Sequence, residues 1–395
     1  MIDVFIIGAR GYIKKYGGWE TLVHGLVDNQ IDNSIKYHIF EIVTSKEEIG
    51  TFPIDNIECI RICEKAKGGF QMIFADIKAF KYVRKEVINQ KIKNPIILYL
   101  GARIGPIQWL FQHSFRKRGI VVLENPAGLE WKRPKWGIIG SLYQYLSCYF
   151  TAIASDYIVC DCEAMRAVYE KMVKHSKHPK KFIAYGAYPA DELAETMPPV
   201  VNDFFKKHFI TPNNYFLIIN RFMPENSWEL ILKEYMKSNT SKDFVIISNI
   251  DKESKYYNKL KKKLKFDCDK RIKFVGTTYD KEILSYIRQY AYAYFNGHTV
   301  GGTNPGLLEA LSTTGFVLAR DCVFSREVCG ECAIYFDDTE ENSLSKAIDY
   351  SEKLNSETIH SIKLKSKERM KELYNWKEIA SKYEHLFNKA INERK

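Results

Sequence analysis

Short apolar runs recur along the whole chain, at residues 4–7, 37–43, 57–62, 96–100, 120–123, 157–160 and 182–185 in its first half. Helical patterns at residues 71–87, 107–116 and 162–173 fall between them. Strands that alternate with helices pair as a parallel sheet wrapped by those helices, since each return to a parallel neighbour needs a crossover. The rhythm breaks at residues 189–199, where Met197-Pro198-Pro199 marks a linker. It restarts at residues 215–219, 244–248, 271–275, 291–295, 316–319 and 333–336, which predicts a second doubly wound sheet. Helical segments at 343–354, 358–373 and 376–389 close the chain. With 395 residues and 46% apolar content, two cores of ordinary domain size can be buried.

Each half holds a glycine loop at the end of an apolar run. In the second half, Gly297-His298-Thr299-Val300-Gly301-Gly302-Thr303-Asn304-Pro305-Gly306 precedes an apolar helix over 304–313 that carries Glu309. Such a turn offers bare backbone amides to an anion and the helix adds its positive end, so a diphosphate fits the turn while Glu309 reaches a sugar hydroxyl. The plainer reading is a tight strand-to-helix turn with a solvated glutamate. In the first half, residues 4–7 run into Gly8-Ala9-Arg10-Gly11, and Tyr16-Gly17-Gly18-Trp19-Glu20-Thr21 opens an amphipathic helix. Two such units predict a ligand held between two domains. The first loop is not a dinucleotide fingerprint, because Arg10 and Ile13 stand at its third and sixth positions, and no Gly-Lys-Ser/Thr follows either loop.

The nine cysteines are scattered and odd in number, which predicts reduced structural thiols; Cys59/Cys63, Cys160/Cys162 and Cys329/Cys332 share no ligand spacing. The formal charge of +11 concentrates in Arg116-Lys117-Arg118, in Lys132-Arg133-Pro134-Lys135 and over 171–181. A polybasic face fits an anionic membrane surface, whereas nucleic acid is not expected, since no nucleic-acid-binding motif accompanies the charge. Residues 1–8 read as a strand, not a secretory signal, and predict a cytosolic protein. Residues 136–155 contain no charge, yet their glycine, hydroxyl and aromatic content predicts a buried or membrane-apposed helix over a spanning one.

Five motifs carry a family resemblance over essentially the whole chain. Phe5-Ile6-Ile7-Gly8 with Arg10-Gly11, Tyr16-Gly17-Gly18-Trp19-Glu20-Thr21, Gly128-Leu129-Glu130-Trp131-Lys132-Arg133, Arg221-Phe222-Met223-Pro224-Glu225-Asn226 and residues 301–310 occur in order. In that set the chain resembles the β-1,4-rhamnosyltransferases of bacterial cell-wall and capsule assembly, in glycosyltransferase family 4. The resemblance implies an α/β GT-B fold: two Rossmann-like domains facing a cleft, with the C-terminal helix crossing back to the N-terminal domain. Acceptor binding is then expected in residues 1–195 with 375–395, and nucleotide-sugar binding in 196–374. It also implies retaining transfer of L-rhamnose from dTDP-β-L-rhamnose to GlcNAc or glucose on a polyprenyl-diphosphate lipid, at the inner face of the cell membrane. No cofactor or metal is expected, and Asp267-Cys268-Asp269 reads as a turn.

The resemblance also assigns residues. Arg221 would pair with the donor diphosphate as a guanidinium can. Asp161 and Tyr185 stand at strand ends, where open α/β sheets build their sites, and join Arg221 as catalytic candidates; the plainer role for Asp161 is to cap the next helix. The donor set is Gly17, Gly18, Arg221, Asn226, His298, Gly301, Gly302, Thr303, Asn304 and Glu309, and the acceptor set Asn125, Ala127, Glu130, Trp131 and Lys132. Glu20 is either part of the site or a helix N-terminal charge. Three positions depart from the family: Glu225-Asn226 stand where relatives have a lysine, Gly301 replaces the first glutamate of a Glu-x7-Glu pair, and Ala127 replaces an aspartate on the acceptor side. The alternatives are transfer of glucose, galactose or another sugar from a dTDP or UDP donor, and a catalytically silent scaffold.

Overall fold

The computed structural model describes residues 1–13, 17–54, 57–126, 128–133, 136–194 and 196–394. They form two compact units, Met1–Gly186 with Trp376–Lys395, and Ala187–Asn375. The chain leaves the first unit at Gly186, so the proline-containing stretch 189–199 lies in the second unit, and the helix Pro199–Lys207 begins at its last proline.

The first unit contains β1 (Ile2–Ile7), β2 (Ile35–Val43), β3 (Gly50–Ile54), β4 (Ile57–Cys63), β5 (Pro95–Leu100), β6 (Val121–Asn125), β7 (Tyr157–Cys160) and β8 (Lys180–Phe182). Their order is β3-β4-β2-β1-β5-β6-β7-β8, parallel except for β3 against β4. Val4 pairs with Tyr37 on one side and with Ile96 on the other, so β1 is central and buried on both faces. Two strands differ from the expected pattern. The edge strand β3 has little apolar alternation and holds Pro53, which an edge tolerates because no ladder hydrogen bond is needed there. At the other edge β8 consists of Lys180, Lys181 and Phe182; of the predicted strand 182–185 only Phe182 is in the sheet.

The second unit contains β9 (Tyr215–Ile219), β10 (Asp243–Ile247), β11 (Ile272–Gly276), β12 (Ala293–Asn296), β13 (Val317–Arg320) and β14 (Ala333–Phe336), all parallel. Their order β11-β10-β9-β12-β13-β14 is the doubly wound Rossmann arrangement. Its core is aromatic: Phe216 stacks on Phe295 with centroids 4.9 Å apart, and Phe244 meets Phe295 edge-on at 5.1 Å.

Both sheets reverse their winding once, between β1 and β5 in the first unit and between β9 and β12 in the second. The last helix, Trp376–Arg394, belongs to the first unit. Trp376 is buried over Gly25 and Gly186, where a Cβ would come within 2.3 and 2.4 Å of the indole. Further along, the Glu384 carboxylate accepts the amides of Ile31 (2.8 Å) and Asp32 (3.1 Å), which fixes the helix against the β1–β2 connection.

Candidate functional site

In the second unit the crevice beyond β9 and β12 is built by two loops that hold each other. Ser227, in a left-handed conformation, donates its hydroxyl to the Gly297 carbonyl (2.7 Å), and Thr299 donates its amide to the Glu225 carbonyl (3.1 Å). Gly297 is required by this contact, because a Cβ there would lie 2.4 Å from the Asn226 carbonyl oxygen. Asn226 is buried and bridges the loops: Nδ2 donates to the Arg221 carbonyl (2.8 Å) and Oδ1 meets His298 Nδ1 at 3.0 Å. An amide held this way leaves only Oδ1 for the histidine, so His298 carries a proton on Nδ1 and its Nε2 faces the Gly301 backbone.

The turn after His298 leads into the helix Pro305–Thr313. Pro305 has no amide hydrogen, Asn304 Oδ1 accepts from Gly306 (2.9 Å), and the amides of Leu307 and Leu308 reach the Asn304 carbonyl. The first turn of the helix therefore satisfies itself, and the Asn304 side chain serves as its N-cap. Gly301 and Gly302 differ. Both are buried, and among the described residues neither amide donates a hydrogen bond. Buried amides are nearly always paired, so two unengaged amides on one glycine turn can take an acceptor from a ligand.

Arg221 begins the β9 loop with its side chain exposed and, among the described residues, in no ion pair. Glu309 sits on the helix as expected, half-exposed, and forms an ion pair with Arg288 of the helix Lys281–Gln289. A sugar hydroxyl at Glu309 would share the carboxylate with that guanidinium. Sequence reasoning missed Arg288 and also Arg320, which ends β13, donates to Ser227 Oγ (2.8 Å) and pairs with Asp338. Position at the C-terminal end of a parallel strand was the available signal for Arg320. Asp267 pairs with Lys261 (3.0 Å) and Asp269 with Arg271 (2.7 Å), so this acidic pair closes a turn. Among the described residues no group of three or more His, Cys, Asp or Glu side chains is placed to hold a metal ion.

In the first unit the glycine loop after β1 is organised from inside by carboxylates. The buried Glu20 accepts the Arg10 amide (2.8 Å), and Glu41 accepts the Ile13 amide (3.2 Å). Gly17 is needed for that packing: its φ is 143°, and a Cβ would lie 1.9 Å from Glu20 Oε2. Glu20 and Gly17 thus have internal structural roles, and Gly18 starts the helix Gly18–Asp28. Below the loop, Arg103 is held by Asp76 (2.9 Å) and the Gly8 carbonyl (3.0 Å), and lies 4.9 Å from the Trp19 ring.

Asp161 and Tyr185 come together at the ends of β7 and β8, with Tyr383 from the last helix. Burial pushes the Tyr185 hydroxyl far above its ordinary pKa, and the Asp161, Tyr383 and Glu20 charges add to it. Tyr383 accepts from Asn125 Nδ2 (2.8 Å), which links β6 to the same cluster. At the start of the following helix the Cys162 thiol accepts the Met165 amide at 3.4 Å. Of the acceptor candidates, Glu130 is tied to Arg133 (2.8 Å), Trp131 meets Tyr145 edge-on at 5.7 Å, Lys132 is exposed, and Ala127 lies outside the described residues. The neighbour of Asn125 was missed. Glu124 is fully buried among Cys148, Cys160 and Tyr169, neither of its oxygens has a hydrogen-bond partner, and desolvation holds its carboxyl far above the usual range.

With this geometry in hand, comparison with known proteins fixes the fold. Residues 1–188 match a family model described as a domain of unknown function (DUF1972). No curated protein sequence matches the chain. Solved structures match over nearly its full length. Sucrose-phosphate synthase from Thermosynechococcus elongatus is 15% identical, with both chains fully covered and a TM-score of 0.78. The trehalose-6-phosphate enzyme from E. coli, bound with UDP-2-fluoro glucose, is 10% identical over 98% of each chain, with a TM-score of 0.73. HepE of Anabaena, in complex with UDP and glucose, is 11% identical over 98% of this chain and 99% of its own, with a TM-score of 0.72. The fold class is therefore GT-B, with two Rossmann-like units and a last helix that belongs to the first.

Proposed function

We propose that this protein is a metal-independent glycosyltransferase that moves L-rhamnose, with retention, from dTDP-β-L-rhamnose to GlcNAc or glucose on a polyprenyl-diphosphate lipid, forming a β-1,4 linkage in bacterial polysaccharide synthesis. The observation that carries the reading is the pair of buried glycines Gly301 and Gly302, whose amides engage no acceptor among the described residues, on the turn beyond β12 at the switch point of the second unit. Structural neighbours bound to UDP or a UDP-sugar support a nucleotide-sugar donor, and the five sequence motifs support rhamnose and a lipid acceptor.

Each residue then has a defined task. The Gly301 and Gly302 amides and the Arg221 guanidinium would stabilise the charge that develops on the departing diphosphate. Glu309 would orient the deoxyribose, with Arg288 holding the carboxylate in place. His298, its Nδ1 turned to Asn226, and Thr303 would lie beside the donor at the same turn. In the first unit, Asp161, Tyr185 and Asn125 would line the acceptor side with Trp131 and Lys132, and the leaving phosphate would take the acceptor proton. The enzyme would work in the cytoplasm on an anionic membrane surface.

The test is product analysis by NMR after incubation with dTDP-β-L-rhamnose and GlcNAc- or glucose-diphosphate-polyprenol in excess EDTA. A β-1,4-linked rhamnosyl product is expected. Transfer only from UDP-glucose or UDP-galactose, or activity that needs added Mg²⁺ or Mn²⁺, overturns the donor or the metal-free reading respectively.

A further inference from the structure

One helix of the first unit has its polarity reversed. Ile138–Ala154 buries Gln144, Ser147, Cys148, Thr151 and Ala152 against the sheet side and turns large apolar side chains outward. Ser147 explains why the polar face is inside, since its hydroxyl donates to the Ala102 carbonyl (2.5 Å) and accepts the Gly105 amide (2.9 Å). On the outer face Ile138 and Ile139 are 90% and 86% exposed, with Leu142 and Leu146 one and two turns on. An ordinary surface helix has the opposite arrangement, and a continuous apolar stripe on the outside marks a surface that meets something other than water.

We infer that this face lies in the interface of an anionic bilayer and docks the first unit there. Three observations select lipid. Residues 136–155 and 104–115, in two helices packed side by side, contain no Asp, Glu, Lys or Arg, and exposed cations stand at both ends of the patch, Lys132 at one, and at the other Lys117 with Arg116, which lies 3.7 Å from Asp156. That is an apolar wedge between headgroup contacts, and two copies facing each other would bring like charges together. Tyr143, Tyr145 and Tyr149 border the aliphatic stripe, and Trp109 stands exposed on the adjoining helix, as rings that prefer the headgroup level do. Finally, no helix among the described residues is long and apolar enough to cross a membrane, so the helix lies in the plane of the surface.

The docking surface also bears on the substrate. The segment 130–132 packs on this helix, with Trp131 on Tyr145, so the acceptor candidates Glu130 to Lys132 stand at the edge of the wedge. An acceptor sugar on a membrane-held lipid would arrive there without leaving the bilayer; this consequence rests on the transferase reading, while the docking does not.

The experiment is vesicle co-sedimentation of the full chain with phosphatidylcholine alone and with an equal mixture of phosphatidylcholine and phosphatidylglycerol, at low salt and at about 0.5 M salt, where headgroup attraction is screened. Wild type should bind the anionic vesicles and keep a salt-resistant fraction. Replacing Ile138, Ile139, Leu142 and Leu146 together by Ser should lower partition about 100-fold or more, while the far-ultraviolet spectrum and nucleotide release from a soluble donor stay unchanged. Leu142→Asp alone gives the same direction should the fourfold variant fail to fold. Equal partition of wild type and variants overturns the inference, as does a wild-type dimer that the substitutions split without any vesicle binding. Vesicle binding without donor turnover would leave the docking surface standing and remove the transferase reading.

Discussion

Arg221 and Glu309 carry opposite charges at the same crevice and differ in how much the fold needs them. Arg221 is exposed and in no ion pair among the described residues, so Arg221→Ala should leave unfolding unchanged and slow donor turnover about 10²-fold or more, the usual size of a lost donor to a developing oxyanion. Glu309→Gln should also slow turnover, and it frees Arg288, so Arg288→Met is the informative control: equal loss in both variants would mean that the pair matters as a unit and not the carboxylate alone. Glu124 makes a separate prediction, about pH. Desolvation raises its folded-state pKa well above 4.5, so the folded protein holds a proton that the unfolded chain releases. Its contribution is then present below the unfolded pKa and is lost as pH climbs above it, by about 1.4 kcal/mol per unit until the folded group titrates. Glu124→Gln should be more stable than wild type at pH 8 and closer to it at pH 5, read from urea unfolding; parallel pH profiles would show that Glu124 does not stay protonated. Nothing in the sequence marked this residue, because a single glutamate in Val121-Val122-Leu123-Glu124-Asn125 reads as an outward position on a strand end.

At the scale of elements, the central strands and the glycine turns were legible because burial on both faces leaves unbroken apolar runs and the tight turns need glycine. The edges were not. In β3 and β8, pairing on one side only removes the demand for apolar side chains, so Pro53 and the two lysines of β8 left no strand signal. The inward-pointing loop carboxylates were equally hidden: Glu20 could be read as a helix dipole charge, and its bond to the Arg10 amide depends on a fold of the loop that spacing does not encode. The last helix was expected to return to the first unit, but the residues that fasten it appear only in the structure. Trp376 fills the space left by Gly25 and Gly186, which predicts that Trp376→Ala costs the first unit about 3 to 5 kcal/mol and disturbs Tyr383 and the Asp161 cluster. Hydrogen exchange would show faster exchange in β6 and β7 with the second unit unaffected. Uniform loss of protection in both units would contradict that assignment.

For the whole molecule, the fold and the function rest on different evidence. Two sheets with one winding reversal each, and neighbours that match over nearly the full chain, establish GT-B at 10–15% identity. Identity that low carries no substrate, so the donor must be argued from the second unit's own crevice, where the sequence indicated the turn at 301–303 but not that the helix behind it satisfies its own amides. The acceptor argument draws on the first unit, where the reversed polarity of Ile138–Ala154 leaves an uncharged segment with an apolar outer face, the proposed docking surface. The most direct test of the central claim is nucleoside diphosphate release by the purified protein from a panel of dTDP- and UDP-sugars, followed in wild type and Arg221→Ala. The account predicts dTDP release from dTDP-β-L-rhamnose ahead of every other donor, about 10²-fold slower in the variant. Release from no donor, or equal rates in the two proteins, would contradict it.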